Sequence, residues 1–140
     1  MVRRKTTIPF DLASVPMFAD CSKRELALVS RLLDRTNYPA GKTIFAEGDH
    51  GQEFYVVIGG RVSVARSGKK VAELGPGQSF GELALLAPVP RNATVTALDE
   101  TEVLILWEKD FKLLLDTPAF RDKVLSGLAR RLREFDKHAS

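Results

Sequence analysis

The chain has 140 residues, of which 44% are hydrophobic and 28% charged, and a formal charge of +3. That length suits one domain burying roughly 70% of its unfolded surface, with the composition of an ordinary soluble globule. The charge is too mild to imply nucleic acid by itself. No apolar run approaches the ~20 residues of a membrane helix, and the N-terminus has no signal-peptide core.

Residues 1–9 read as a flexible tail, with Arg3, Arg4 and Lys5 solvated. Asp11 to Phe18, interrupted by Pro16, suggests a short helical turn. The lone Cys21 has no internal disulfide partner, which fits a reducing cytoplasm, and reads as an unreactive surface or packed thiol. Ser22 to Glu25 is a capping box that starts a helix, and Leu26, Val29, Leu32 and Leu33 form its apolar stripe.

From Asn37 to Trp107 short β-branched and aromatic runs alternate with glycine turns. The expected strands are 42–46, 53–58, 61–66, 69–74, 78–80, 93–97 and 102–107. Gly59-Gly60 and Ser67-Gly68 read as hairpin turns, and many short strands favour a sandwich or barrel. Residues 108–115 and 118–137 read as helices, the second opened by Thr117-Pro118 and spanning roughly 30 Å. Phe120, Val124, Leu125, Leu128, Leu132 and Phe135 line its apolar face. Gly127 interrupts it, either for close packing or for a bend. Trp107 and Phe111 read as core.

The chemistry concentrates between Phe80 and Val95. Gly81 lets a ligand approach the backbone, and Leu83 to Ala87 is a one-turn helix stopped by Pro88. The first amides of so short a helix lack internal partners and suit a phosphate. Arg91 adds a bidentate cation. Glu82 would repel an anion, yet suits a ribose 2′-hydroxyl; the bland alternative is that it caps its own helix. Together they point to a small, singly charged nucleotide. No Walker-type Gly-Lys-Ser/Thr is present for ATP.

Phe80-Gly81-Glu82-Leu83-Ala84-Leu85 followed by Pro90-Arg91-Asn92-Ala93-Thr94-Val95 resembles the phosphate-binding cassette of the cyclic nucleotide-binding domain family. Gly48-Asp49-His50-Gly51, the run Phe54 to Val62 and Gly75-Pro76-Gly77 extend the resemblance over about residues 10–135. It implies a mainly β fold with flanking helices (α+β). The expected architecture is an antiparallel β jelly-roll barrel over about 37–107, with N-terminal helices, the short cassette helix and C-terminal lid helices over about 108–137, in one domain from 10 to 140. It implies contacts to the nucleotide from Gly81, Glu82, Leu83, Ala84, Arg91, Asn92 and Ala93. Val64 and Val71 would be wall residues for the base, with ordinary core valines an equal alternative for each. Leu128, Arg131 or Leu132 would supply the lid, with Arg130, Arg131 and Arg133 alternatively a solvated face. Asn92 departs from the alanine or threonine common in the family, and can serve either the phosphate or a guanine amine. The absent threonine favours cyclic AMP over cyclic GMP.

The resemblance implies a cytoplasmic, non-enzymatic regulatory sensor whose C-terminal helices move with ligand and signal to an effector domain or protein not visible here. A homodimer through the last helix is one route. No recognition helix follows, so direct DNA binding is not expected, nor are a membrane or a cofactor. Two other classes compete: a ligand-free jelly-roll interaction module, and a cupin-like metalloenzyme. The latter needs clustered histidines, and the chain has only His50 and His138.

Overall fold

A computed structural model describes residues 10–139. The tail expected at residues 1–9 and the side chains of Leu132 and Phe135 lie outside the described residues. Backbone packing divides the chain into two compact units, one of them Leu33–Glu108 and the other residues 10–32 with 109–139.

The first unit carries the strands: β1 (Asp34–Tyr38), β2 (Thr43–Phe45), β3 (Glu53–Gly59), β4 (Val62–Arg66), β5 (Lys69–Leu74), β6 (Ser79–Phe80), β7 (Thr94–Ala97) and β8 (Thr101–Trp107). They form two four-stranded antiparallel sheets, ordered β1-β8-β3-β6 and β2-β7-β4-β5. This is a jelly-roll arrangement of two sheets rather than a closed barrel. Side chains from both sheets, Tyr55, Val57, Phe80, Val103 and Ile105 from one and Val62 and Val95 from the other, make one core. β3 is apolar throughout its centre, and Phe54, Tyr55, Val56 and Val57 are all buried. β5 is an edge strand, and the lysines at its start face solvent.

The expected strands fall within a residue or two of those observed, and β5 matches at both ends. Two expectations are corrected. β1 begins at Asp34, ahead of the boundary expected at Asn37, in a polar stretch with little apolar alternation. Pairing supplies what periodicity lacks: Arg35 clamps Glu102 with two hydrogen bonds at 2.6 and 2.9 Å, and Trp107 Nε1 donates to buried Asp34 at 2.6 Å. Gly59-Gly60 is not a hairpin turn, because β3 and β4 belong to different sheets. Gly60 has φ +82°, and a Cβ there would stand 2.4 Å from the Glu100 carbonyl oxygen. The glycine thus turns the chain from one sheet to the other. Ser67-Gly68 does close a hairpin, between β4 and β5, with both residues at positive φ.

The second unit holds 3₁₀ turns at Leu12–Ser14 and Pro16–Phe18, then α1 (Lys23–Leu32), α3 (Glu108–Leu115) and α4 (Pro118–Ala139). The label α2 belongs to the cassette helix, Leu83–Leu86, in the first unit. The capping box forms as expected: Ser22 N–H donates to Glu25 Oε1 at 2.8 Å, and Glu25 N–H to Ser22 Oγ at 3.2 Å. On α4, Phe120, Val124 and Leu128 are buried, whereas Leu125 is exposed. Gly127 serves close packing: a Cβ there would lie 2.3 Å from the Pro16 carbonyl oxygen and 2.7 Å from that of Met17. Burial raises the ionisation of Cys21 to about 11, with Glu25 reinforcing the shift, so the thiol stays protonated and unreactive at neutral pH.

Candidate functional site

The cassette begins where β6 ends. Gly81 takes φ +92°, and a Cβ there would lie 2.8 Å from the Glu53 carbonyl oxygen and 3.0 Å from Arg91 Nη1. Only glycine accommodates both the dihedral and the two close neighbours. The helix that follows, α2, has four residues. Its turns are tight: Ala84 N–H donates to the Gly81 carbonyl at 3.3 Å and Leu85 N–H to that of Glu82 at 3.1 Å. The Ala84 and Leu85 amides thus have internal acceptors.

Glu82 does not cap α2, for its side chain makes no cap hydrogen bond. Its Oε1 instead accepts from the hydroxyl of buried Ser79 at 3.0 Å. This removes the bland alternative and leaves a half-buried carboxylate beside the cassette turn.

Arg91 is buried and reaches back across the sheet unit. Its backbone is held by the loop before β3: Arg91 N–H donates to the Asp49 carbonyl and Gly48 N–H to that of Arg91, both at 2.8 Å. Its Nη2 donates to Glu53 Oε2 at 2.6 Å and to the Glu53 carbonyl at 3.0 Å. The guanidinium carbon stands 4.2 Å from the centre of the Phe45 ring. Phe45 in turn meets Tyr55 and Phe80 at 5.8 and 5.7 Å, and those two rings stack at 4.9 Å. The Tyr55 hydroxyl is held well above its usual ionisation range, by burial first and then by Glu53, so this platform stays neutral. Gly51 completes the cradle, since a Cβ there would stand 2.8 Å from Glu53 Oε2 and 3.0 Å from Arg91 Nη2. Arg91 Nε is buried without a hydrogen-bond partner. An unpaired buried donor on a cation is costly, and an incoming anion would satisfy it.

The structure therefore brings Gly81, Glu82 and Arg91 into one turn-and-loop assembly. Ala84 and Ala93 are buried within it, while Leu83 and Asn92 are exposed. Val64 is partly buried and packs against the core cluster. Val71 is 53% exposed on the edge strand. In the helical unit Leu128 is buried, and Arg131 is half-buried and engaged rather than free. Sequence reasoning assigned no role to Glu53, Ser79, Phe45 or Gly51. The signal for Glu53 was an acid two residues after Gly51 in a glycine-bounded loop; for Ser79 it was a hydroxyl three residues before Glu82. Among the described residues no group of three His, Cys, Asp or Glu could hold a metal, and no helix is long and apolar enough to cross a membrane.

Known proteins resemble this chain in sequence and in fold. A family model described as the cyclic nucleotide-binding domain matches residues 35–117. The chain is 38% identical over 127 residues to the cyclic AMP receptor protein of Thermus thermophilus, covering 86% of this chain and 59% of that protein. It thus spans less than two thirds of the length of that relative. It superposes on the N-terminal domain of a transcriptional regulator from Streptomyces coelicolor with a TM-score of 0.80 and 34% identity, covering 91% of this chain and 96% of that one. Against cAMP-bound PfPKA-R the TM-score is 0.77 with 31% identity, over 91% of this chain and 43% of that chain. Gly81, Glu82 and Arg91 fall inside the matched segment, and the chain belongs to the cyclic nucleotide-binding domain family.

Proposed function

We propose that this chain is a non-enzymatic sensor module that binds a cyclic nucleotide, cyclic AMP in preference to cyclic GMP, and passes binding on by movement of its C-terminal helices. The observation that carries the reading is the buried Arg91 guanidinium with its Nε unpaired. A cyclic phosphodiester is a monoanion and matches one guanidinium; a multiply charged mononucleotide asks for more cations than the cassette holds. Glu82 takes the ribose 2′-hydroxyl, and Leu83 and Ala93 offer backbone amides. Asn92, exposed at the cassette's end, meets either phosphate or base in this reading. Support for cyclic AMP comes from the relatives whose names or bound ligand specify it.

Ligand-linked movement requires affinity to differ between the two positions of the helices. The module works in the cytoplasm on an effector domain or protein, with pairing through α4 one route.

Side-by-side calorimetric titration with cyclic AMP and cyclic GMP tests the reading. Saturable binding of both, tighter for cyclic AMP, is the expected result; the reverse order would overturn the base preference alone. A second reading, a ligand-free interaction module, draws on the Glu53 carboxylate already 2.6 Å from Arg91. Failure of both nucleotides to bind would establish it over the first.

A further inference from the structure

We propose that Phe45 is a positioning residue for the ligand's phosphate, acting through Arg91; the inference rests on the cyclic nucleotide reading above. Phe45 ends β2 and is half-buried. Its backbone is registered against the arginine from two directions. Phe45 pairs with Val95 on β7, four residues after Arg91. The loop that follows Phe45 closes on itself through Asp49, whose Oδ2 accepts from Ala46 N–H at 2.9 Å, and the Asp49 carbonyl accepts from Arg91 N–H at 2.8 Å. The tilt of the ring is set by Tyr55 and Phe80, whose planes lie at 52° and 57° to it. Against this fixed ring stands the buried guanidinium, its carbon 4.2 Å from the ring centre.

Glu53 holds one corner of the guanidinium, because its carboxylate and its carbonyl both accept from Nη2. A plate held at one corner can still pivot about it. The Phe45 ring opposes that pivot, since a cation is drawn over the centre of an aromatic face, the more strongly where water is excluded. Gly51 and Gly81 bring backbone up to the edges, where a Cβ would stand 3.0 Å from Nη2 and 3.0 Å from Nη1. Nε, buried and without a hydrogen-bond partner, is thereby aimed in one direction. A phosphate oxygen arriving there meets a donor that needs no reorganisation. With an aliphatic side chain at position 45 the guanidinium regains freedom to turn toward Glu53 or water, and phosphate binding must first order it again.

The test measures dissociation constants for cyclic AMP in the wild type, Phe45→Leu, Phe45→Met and Phe45→Tyr, and again for Phe45→Leu and Phe45→Met combined with Arg91→Ala. Leucine and methionine keep apolar bulk without an aromatic face, and two such variants cover the case in which one fails to fold. Each is expected to weaken cyclic AMP binding about fivefold or more, and Phe45→Tyr, which keeps the face, to stay within about twofold of wild type. On the Arg91→Ala background the same aliphatic substitutions are expected to change affinity less than about twofold, since no guanidinium remains to be oriented. A merely structural ring would weaken binding by the same factor with or without Arg91. That result, or wild-type affinity in Phe45→Leu and Phe45→Met, overturns the positioning role while leaving the cyclic nucleotide reading intact. Where Arg91→Ala binds too weakly to titrate, Phe45→Tyr decides: tyrosine as weak as leucine overturns the role. Absence of binding to wild type overturns both.

Discussion

Each unit of the molecule contains an ion pair that bridges residues far apart in the chain, and the two pairs differ chiefly in exposure. In the sheet unit Arg91 Nη2 meets Glu53 at 2.6 Å, with the side chains 4% and 24% exposed. In the helical unit Lys123 Nζ meets Glu25 at 2.7 Å, with the side chains 38% and 20% exposed. The distances are nearly equal, so geometry alone does not rank them. Burial does. A solvated pair gains little over its two hydrated ions, whereas removing one partner of a buried pair strands the other in a poor solvent. Arg91 also has an unpaired Nε and an aromatic ring against its face, so its site holds capacity for another anion. The Lys123 pair holds helices together; the Arg91 pair prepares a binding group.

The largest expected effect follows from removing the cation. Arg91→Ala should weaken cyclic nucleotide binding by at least ~2 kcal/mol, about 30-fold, as for a desolvated charge pair. An unchanged dissociation constant by calorimetry would remove Arg91 from the site.

Glu53→Gln sharpens the comparison from the other side. It keeps the volume and leaves the guanidinium charge uncompensated, and should cost about 2 kcal/mol of stability. That is below the roughly 3–5 kcal/mol of a fully buried pair, because Glu53 is partly hydrated. Cyclic AMP should then raise the melting temperature more in Glu53→Gln than in wild type, since the phosphate supplies the missing anion. Equal shifts in a thermal melt would mean that Glu53 and the ligand do not share the guanidinium.

The difference between the pairs also explains what was legible in the sequence. Periodicity and turn chemistry are local, so α3 and β5 could be read to their ends and the capping box at Ser22 to its atoms. The cassette was legible for the same reason: Gly81, Glu82 and Arg91 lie within eleven consecutive residues of a recognisable pattern. Glu53 was not, because its partner is 38 residues away and only sheet topology joins them. β1 escaped because its hold on β8 comes from Arg35 and Asp34 rather than from apolar alternation. Gly59-Gly60 misled because a glycine pair turns a chain equally well within a sheet and between two sheets. Gly127 left two alternatives that only the Pro16 and Met17 carbonyls could separate.

The smallest effect is expected at the exposed pair, where pH and salt give a cleaner signature than affinity. The Lys123 ammonium, through its hydrogen bond, is the first cause holding the Glu25 carboxyl below its usual range, with the Ser22 N–H next. A carboxylate whose folded ionisation is depressed contributes stability that is fully present above its unfolded range, near pH 4.3, and is lost as pH falls through the lower folded value. Lys123→Ala should therefore cost little near pH 7 and make the acid limb of the stability curve shallower than in wild type. Raising the salt toward about 1 M, where charges are screened within ~3 Å, should erase the neutral-pH difference between Lys123→Ala and wild type. The same salt should leave the deficit of Glu53→Gln largely intact, because its cation is buried. Denaturant melts of both variants at low and high salt check this directly: a Lys123→Ala deficit that survives high salt would place both pairs in the same energetic class and undo the ranking by burial.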